Sequence, residues 1–429
     1  MRLGGRIQAA AEVLEDILER RTPANMALRD WGKAHRFAGS GDRAAIGNYV
    51  HDALRQKSSI AYRMDSEMPR SLALGAAVFA GGHDVAELTA AIAEDKFFTP
   101  KLSKDEIAKL SGMIDLDGAP DWVKADVPEW IWPAFENNFG EEAVTEGKAL
   151  TARPPLDIRV NTLKTSRDEA AENLGYAPTE LSPIGLRIPA LVGQERHPNL
   201  QSDPAFMTGE IEIQDEGSQL VSLLVNAQPG EKVLDFCAGG GGKTIALAAD
   251  MKNEGVVHAF DIDKRRLAPT YQRAQRAGAS CVNIHQPPSS SLGALKSKKM
   301  DRVLVDAPCT GVGTWRRKPD AKWRLTEDSL ERRMKEQVAV LDEAQAYVKV
   351  GGFLIYVTCS MLAEENEHQV YGFLERNDAF TLLSAGEVWE DRFGVDKSKP
   401  WSEDGLTVTL TPASTGTDGF FFAVMEKTK

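Results

Sequence analysis

The chain has 429 residues, 42% of them hydrophobic and 27% charged, a composition that excludes wholesale disorder. No run approaches the roughly 20 consecutive apolar residues of a membrane span. The stretch Met1 to Arg20 carries acids throughout and has no apolar centre, so no secretory signal is read and a cytoplasmic location is expected. Four cysteines, at 237, 281, 309 and 359, are too few and too widely spaced for a disulfide framework. No Cys/His spacing suits zinc, so no metal is expected and any functional cysteine acts as a thiol. The net charge is −12, yet Lys264 to Lys335 holds 17 basic and 6 acidic residues, a local +11 that leaves −23 for the rest. A solvated helix face and a nucleic-acid footprint both fit such a segment.

At roughly 150 residues per domain, two to four domains are expected. Ile7, Ala10, Val13, Leu14, Ile17 and Leu18 recur at helical spacing, as does a run from Ala44 to Tyr62. Helices are predicted through about residue 145, broken by Pro100, Pro120, Pro128 and Pro133. This first region, 1–145, offers no catalytic constellation. Residues 146–215 read as a small α+β module, with a strand-like stretch at 156–164. From 216 to 429 strands and helices alternate. Strands are predicted at Lys232–Phe236, Val256–Ile262, Arg302–Asp306, Gly352–Val357 and Phe420–Met425. Helices are predicted at Glu216–Asn226, Lys243–Met251, Lys264–Ala277 and Asp328–Val348. The fold class is therefore α/β, with a doubly wound, mostly parallel sheet.

The segment VLDFCAGGGGKT, Val233 to Thr244, is a buried strand, a glycine turn and a helix start. Such a turn lets backbone approach a ligand closely. A phosphate-binding P-loop matches only in part, because its first glycine falls on Cys237. A nucleoside methyl donor, S-adenosylmethionine, fits better. Asp261, 19 residues past Gly242, is placed to hold the ribose hydroxyls. Two further strands end in DAPC (Asp306 to Cys309) and in VTCS (Val357 to Ser360), so both thiols reach the rim that carries the glycine loop. Cys237, at the end of the first strand, and Cys281, with no polar motif around it, read as structural. A thiolate adding to carbon 6 of a cytosine turns carbon 5 into an enamine nucleophile. An acid near ring nitrogen 3 stabilises the charge that develops. A donor site, a carboxyl group and two thiols are the parts this chemistry needs.

These segments, with RVNTLK (Arg159 to Lys164), QDEGSQL (Gln214 to Leu220), AFDIDKRRL (Ala259 to Leu267), YVTCSMLAEENE (Tyr356 to Glu367) and TDGFFFA (Thr417 to Ala423), carry a resemblance. The chain resembles the RNA cytosine-carbon-5 methyltransferases of the Nop/Sun family, and within it the RsmB/Sun-type branch that acts on bacterial ribosomal RNA. The first helices, with GDRAAIGNYVHDALRQ (Gly41 to Gln56), resemble the NusB-like RNA-binding domain of that branch. The resemblance implies a Rossmann-like methyltransferase domain and an RNA partner. It implies that Cys359 attacks the base and Cys309 assists release. Asp306 then contacts the base, and Lys243 lies near the base or Asp306. The donor is implied to sit on Ala238, Gly239, Gly240, Gly241, Gly242, Lys243 and Thr244, with Asp261 and Asp306. The basic segment becomes an RNA-facing patch with Trp315 and Trp323 as stacking groups, core packing being the alternative for both. Two departures stand out. Gly239 and Gly240 replace a small residue and a proline, which predicts a looser loop. Gln286 stands where an Asp usually meets the adenine. A non-catalytic RNA-binding or assembly factor on the same fold is the alternative function, which loss of either thiol would have favoured.

Overall fold

A computed structural model of the chain describes all residues except 192, 194–196 and 396–397. It divides into two compact units. One comprises Met1–Pro154, Ala190–His197 and Thr314–Leu325, and the other comprises the remainder.

The first unit is helical. Its long helix Leu3–Arg20 buries Ile7, Ala10, Val13, Leu14 and Ile17, the stripe read from the sequence. That stripe packs with Tyr49, Val50 and Leu54 of helix Ser40–Arg55 and with Leu72 and Leu74. The stretch 314–325 belongs to this unit, which no sequence signal indicated. Lys322, 1% exposed, donates to the carbonyls of Arg55 at 2.9 Å and Asp126 at 2.7 Å, and Trp323 Nε1 donates to Leu54 at 2.6 Å. A buried ammonium needs such partners to offset its desolvation; burial still draws Lys322 down to about 8.

The second unit holds two sheets. The smaller comprises β1 (Leu156–Val160), β2 (Ala177–Pro178), β3 (Gly185–Ile188) and β4 (Ile211–Ile213), antiparallel in the order β2-β3-β1-β4. With helices Arg167–Leu174 and Pro204–Thr208 this is a ferredoxin-like βαββαβ arrangement. The larger comprises β5 (Lys232–Asp235), β6 (Val256–Phe260), β7 (Val282–His285), β8 (Met300–Asp306), β9 (Val348–Thr358), β10 (Phe380–Leu382), β11 (Val408–Leu410) and β12 (Phe420–Lys427). Strands β7, β6, β5, β8 and β9 run parallel in that order; β12 returns antiparallel on β9 and pairs with β10 and β11. Strand β9 shows why the sheet is buried on both faces. Ile355 and Val357 join one apolar layer with Leu220, Leu247 and Trp389, while Leu354 and Tyr356 join the other with Leu341 and Phe373. Among the described residues no helix is long and apolar enough to cross a membrane.

Candidate active site

In this sheet the chain order reverses at β5, whose neighbours are β6 and β8. A crevice beyond the carboxyl ends of the strands opens at such a switch point. The residues assigned to the donor and to catalysis follow the carboxyl ends of these strands. The glycine loop follows β5, Asp261 follows β6, Gln286 follows β7, Asp306 and Cys309 end β8, and Cys359 follows β9.

Gly241 caps helix Gly242–Asp250 with φ +78°, and a Cβ there would meet Thr270 Cγ2 at 2.5 Å. Only glycine satisfies both constraints. Asp261, 2% exposed, accepts the Gly239 amide at 2.9 Å and the Asp263 amide at 2.8 Å, one on each carboxylate oxygen. Each oxygen keeps a second acceptor site for a ribose hydroxyl. Gln286 donates from Nε2 to the Tyr271 hydroxyl at 2.6 Å, while its Oε1 is buried without a hydrogen-bond partner among the described residues. An unpaired buried acceptor is costly, and an adenine amine is a donor that satisfies it. The residues present therefore fit an adenosine-bearing methyl donor. Asp261→Ala is expected to weaken donor binding roughly tenfold, a hydrogen bond to a charged group being worth about 1.5–3 kcal/mol; titration calorimetry checks it.

The P-loop alternative is not supported by the lysine. Lys243, buried, turns its ammonium to Asp306 Oδ2 at 2.7 Å and lies 5.3 Å from the centre of the Phe420 ring. Burial pulls this ammonium down, but the Asp306 charge and hydrogen bond outweigh it, and Lys243 is raised above an ordinary lysine.

The two strand-end thiols meet. Cys309 Sγ and Cys359 Sγ are 3.3 Å apart. The hydrogen bond from Cys309 lowers Cys359 below an ordinary thiol, with the Lys243 ammonium also favouring the thiolate against burial and Asp306. Cys309 is raised well above an ordinary thiol by the same hydrogen bond and by burial, with Glu365 adding to it. Cys359 is therefore the more readily ionised sulfur of the two and Cys309 the less. Cys237 and Cys281 stand apart, and burial raises both.

A layer behind the thiols carries no role in the sequence reading. Glu365 accepts the Thr310 amide at 2.8 Å and the Thr310 hydroxyl. Gln337 Nε2 donates to Glu365 Oε1 and to the Pro308 carbonyl, both at 3.0 Å. Asn366 accepts from the Thr358 hydroxyl at 2.6 Å and donates to the Ser360 carbonyl at 3.2 Å, bracketing Cys359. Beneath them Asp235, pushed by burial to about 7, accepts from the Thr244 hydroxyl at 2.6 Å. Glu365 and Asn366 lay inside a quoted segment. Gln337 left one signal, a buried polar residue on the core side of helix Glu327–Ala344. Glu365→Ala strands the Thr310 and Gln337 donors and is expected to cost about 2–3 kcal/mol in denaturant unfolding.

Part of the basic segment is structural. Trp315 is 1% exposed and Arg316 4%, so Trp315 is buried rather than a stacking surface, while Trp323 packs against the helical core and donates to the Leu54 carbonyl. Arg302 pairs with Glu231, Arg273 and Arg276 pair with Glu212, and Lys299 donates to the Ala346 carbonyl. The exposed cations are fewer, among them Lys264, Lys296, Lys298 and Lys318. The segment is rich in Lys and Arg because several of them anchor structure. Among the described residues no cluster of three His, Cys, Asp or Glu is placed to hold a metal. A cavity of about 610 Å³ in the helical unit is lined by Arg2, Trp31, His35, Phe37 and Phe97.

Comparison with known proteins gives the same neighbourhood. Residues 222–426 match the family described as 16S rRNA methyltransferase RsmB/F, and residues 127–190 match the ferredoxin-like domain of RsmF/B-like methyltransferases. The "Probable ribosomal RNA small subunit methyltransferase B" of Bacillus subtilis is 32% identical over 307 residues, 70% of this chain and 66% of the relative. The ribosomal RNA small subunit methyltransferase B of an Enterobacter species is 33% identical over 311 residues, with the same coverage. The chain thus spans about 66% of the length of these curated relatives. A solved methyltransferase homolog protein from Pyrococcus horikoshii is 29% identical, with a TM-score of 0.59 over 72% of this chain and 97% of that one.

Proposed function

The chain belongs to the RsmB/F methyltransferase family, and from that premise we propose that it methylates carbon 5 of a cytosine in small-subunit ribosomal RNA, in the cytoplasm, using S-adenosylmethionine. The observation that carries the reading is the pair of thiols, 3.3 Å apart, beyond the ends of two strands that lie beside the strand of the glycine loop.

Carbon 5 of cytosine is a weak nucleophile. The Cys359 thiolate adds to carbon 6 and makes carbon 5 electron-rich. Asp306, paired with Lys243, accepts a hydrogen bond from the exocyclic amine of the base, and the Lys243 ammonium offsets the negative charge that builds on the ring as the thiolate adds. The donor supplies an electrophilic methyl group, held by the glycine loop, Asp261 and Gln286. Water then takes the carbon 5 proton, and the electrons of that C–H bond re-form the carbon 5–carbon 6 double bond and expel Cys359 as a thiolate. Cys309, which holds its proton firmly, assists by donating a hydrogen bond to the departing sulfur. The non-catalytic alternative leaves this pair of thiols without a purpose.

Bisulfite sequencing of small-subunit RNA, with and without the gene, tests the proposal. A protected cytosine that becomes convertible on deletion is the expected result. An unchanged pattern of protected positions overturns it.

A further inference from the structure

Four consecutive glycines, Gly239–Gly242, form the loop that faces the donor. Glycine loses more conformational freedom on ordering than any other residue, so a tetraglycine loop needs external restraint to present a fixed surface. The structure supplies it from side chains. Thr270 Oγ1 donates to the Gly239 carbonyl at 3.1 Å, Arg273 Nη1 to the Gly240 carbonyl at 2.6 Å, and Arg159 Nη1 to the Gly242 carbonyl at 2.6 Å. Gly240 is the weak point between the others. Its amide makes no hydrogen bond among the described residues, whereas Gly239 and Gly241 are tied through theirs to Asp261 and Ala238. The carbonyl bond from Arg273 is its one tether.

Arg273 is itself fixed. Its other arm, Nη2, donates to Glu212 Oε2 at 3.0 Å, and Arg276 binds the second oxygen of Glu212. Glu212 is 1% exposed on β4 of the ferredoxin-like sheet. The guanidinium lies 3.3 Å from where a Cβ on residue 240 would stand, so it fills the space a larger residue would occupy. A planar fork joining a carboxylate to a backbone carbonyl uses a geometry lysine lacks.

We infer that Arg273, braced by Glu212, is a positioning residue for the methyl donor: it orders the Gly239–Gly242 loop, and donor affinity depends on it. The inference rests on the proposed use of S-adenosylmethionine.

The test uses the full chain in wild-type form and as Arg273→Met and Arg273→Lys. Titration calorimetry with S-adenosylmethionine and with S-adenosylhomocysteine measures affinity, and hydrogen exchange of the donor-free protein reads the loop amides. The expected result is an affinity at least tenfold weaker in Arg273→Met, faster exchange at Gly239 and Gly241, and an unchanged melting temperature. Arg273→Lys, which can reach one partner at a time, falls between. Equal affinity in wild type and Arg273→Met overturns the inference and leaves the proposed function standing. Weaker affinity accompanied by general unfolding of Arg273→Met, with Arg273→Lys folded and binding as wild type, also overturns it. A wild-type protein that binds neither compound overturns the proposed function and this inference with it.

Discussion

Replacing Cys309 by alanine should fill a denaturing gel with protein covalently bound to RNA, whereas replacing Cys359 should leave none. The expectation follows from the unequal acidity of the two thiols. Cys359 is lowered toward the thiolate, so it is the sulfur able to attack. Loss of Cys309 removes a hydrogen bond that lowers Cys359, which slows attack without abolishing it, and removes the hydrogen bond to the departing sulfur, so an adduct persists once formed. Cys359→Ala should reduce methyl transfer by roughly three orders of magnitude or more, the scale on which enzymes lose rate with their nucleophile. Adduct in Cys359→Ala and none in Cys309→Ala would exchange the two roles. Full activity without adduct in both variants would remove covalent catalysis.

Lys243→Met and Asp306→Asn should both slow transfer by roughly 10²- to 10⁴-fold, yet shift the pH profile in opposite directions. The Lys243 ammonium favours the Cys359 thiolate, and the Asp306 carboxylate opposes it. Removing the ammonium leaves Asp306 uncompensated, so Cys359 titrates at higher pH and the acidic limb of the profile moves alkaline. Removing the carboxylate charge lets Cys359 ionise at lower pH, and the limb moves acidic. Single-turnover rates between pH 5 and pH 9 (roughly the range spanned by perturbed thiols) check the signs. Shifts in the same direction would show that the Lys243–Asp306 pair does not set the thiolate.

The large sheet was legible because its central strands are buried on both faces and therefore read as apolar runs. Helix Lys264–Ala277 was legible to the residue, since Asp263 caps its start and Gly278, with φ +70°, closes its end. The boundary between helix Glu327–Ala344 and β9 was misplaced. The helix was expected to continue to Val348, but a 3₁₀ turn at Gln345–Tyr347 intervenes and β9 starts at Val348. Gly351 and Gly352 disguised that start, because glycine weakens a strand pattern. Strand β7, short and at the sheet edge, was not predicted. The motif residues were legible as strand-end chemistry. Their supports were less so, because Gln337 and Arg273 act across folds of chain that local sequence does not reveal. For Trp315 stacking and core packing were equal alternatives from sequence, and its burial decides for packing.

The central claim, attack at carbon 6 followed by transfer to carbon 5, is tested most directly with small-subunit RNA from cells lacking the gene, carrying tritium at carbon 5 of its cytosines. Incubation with purified protein and S-adenosylmethionine should release one tritium to water for each methyl group transferred. Neither event should occur in Cys359→Ala. Methyl transfer without tritium release would place the methyl group on another atom and contradict the account.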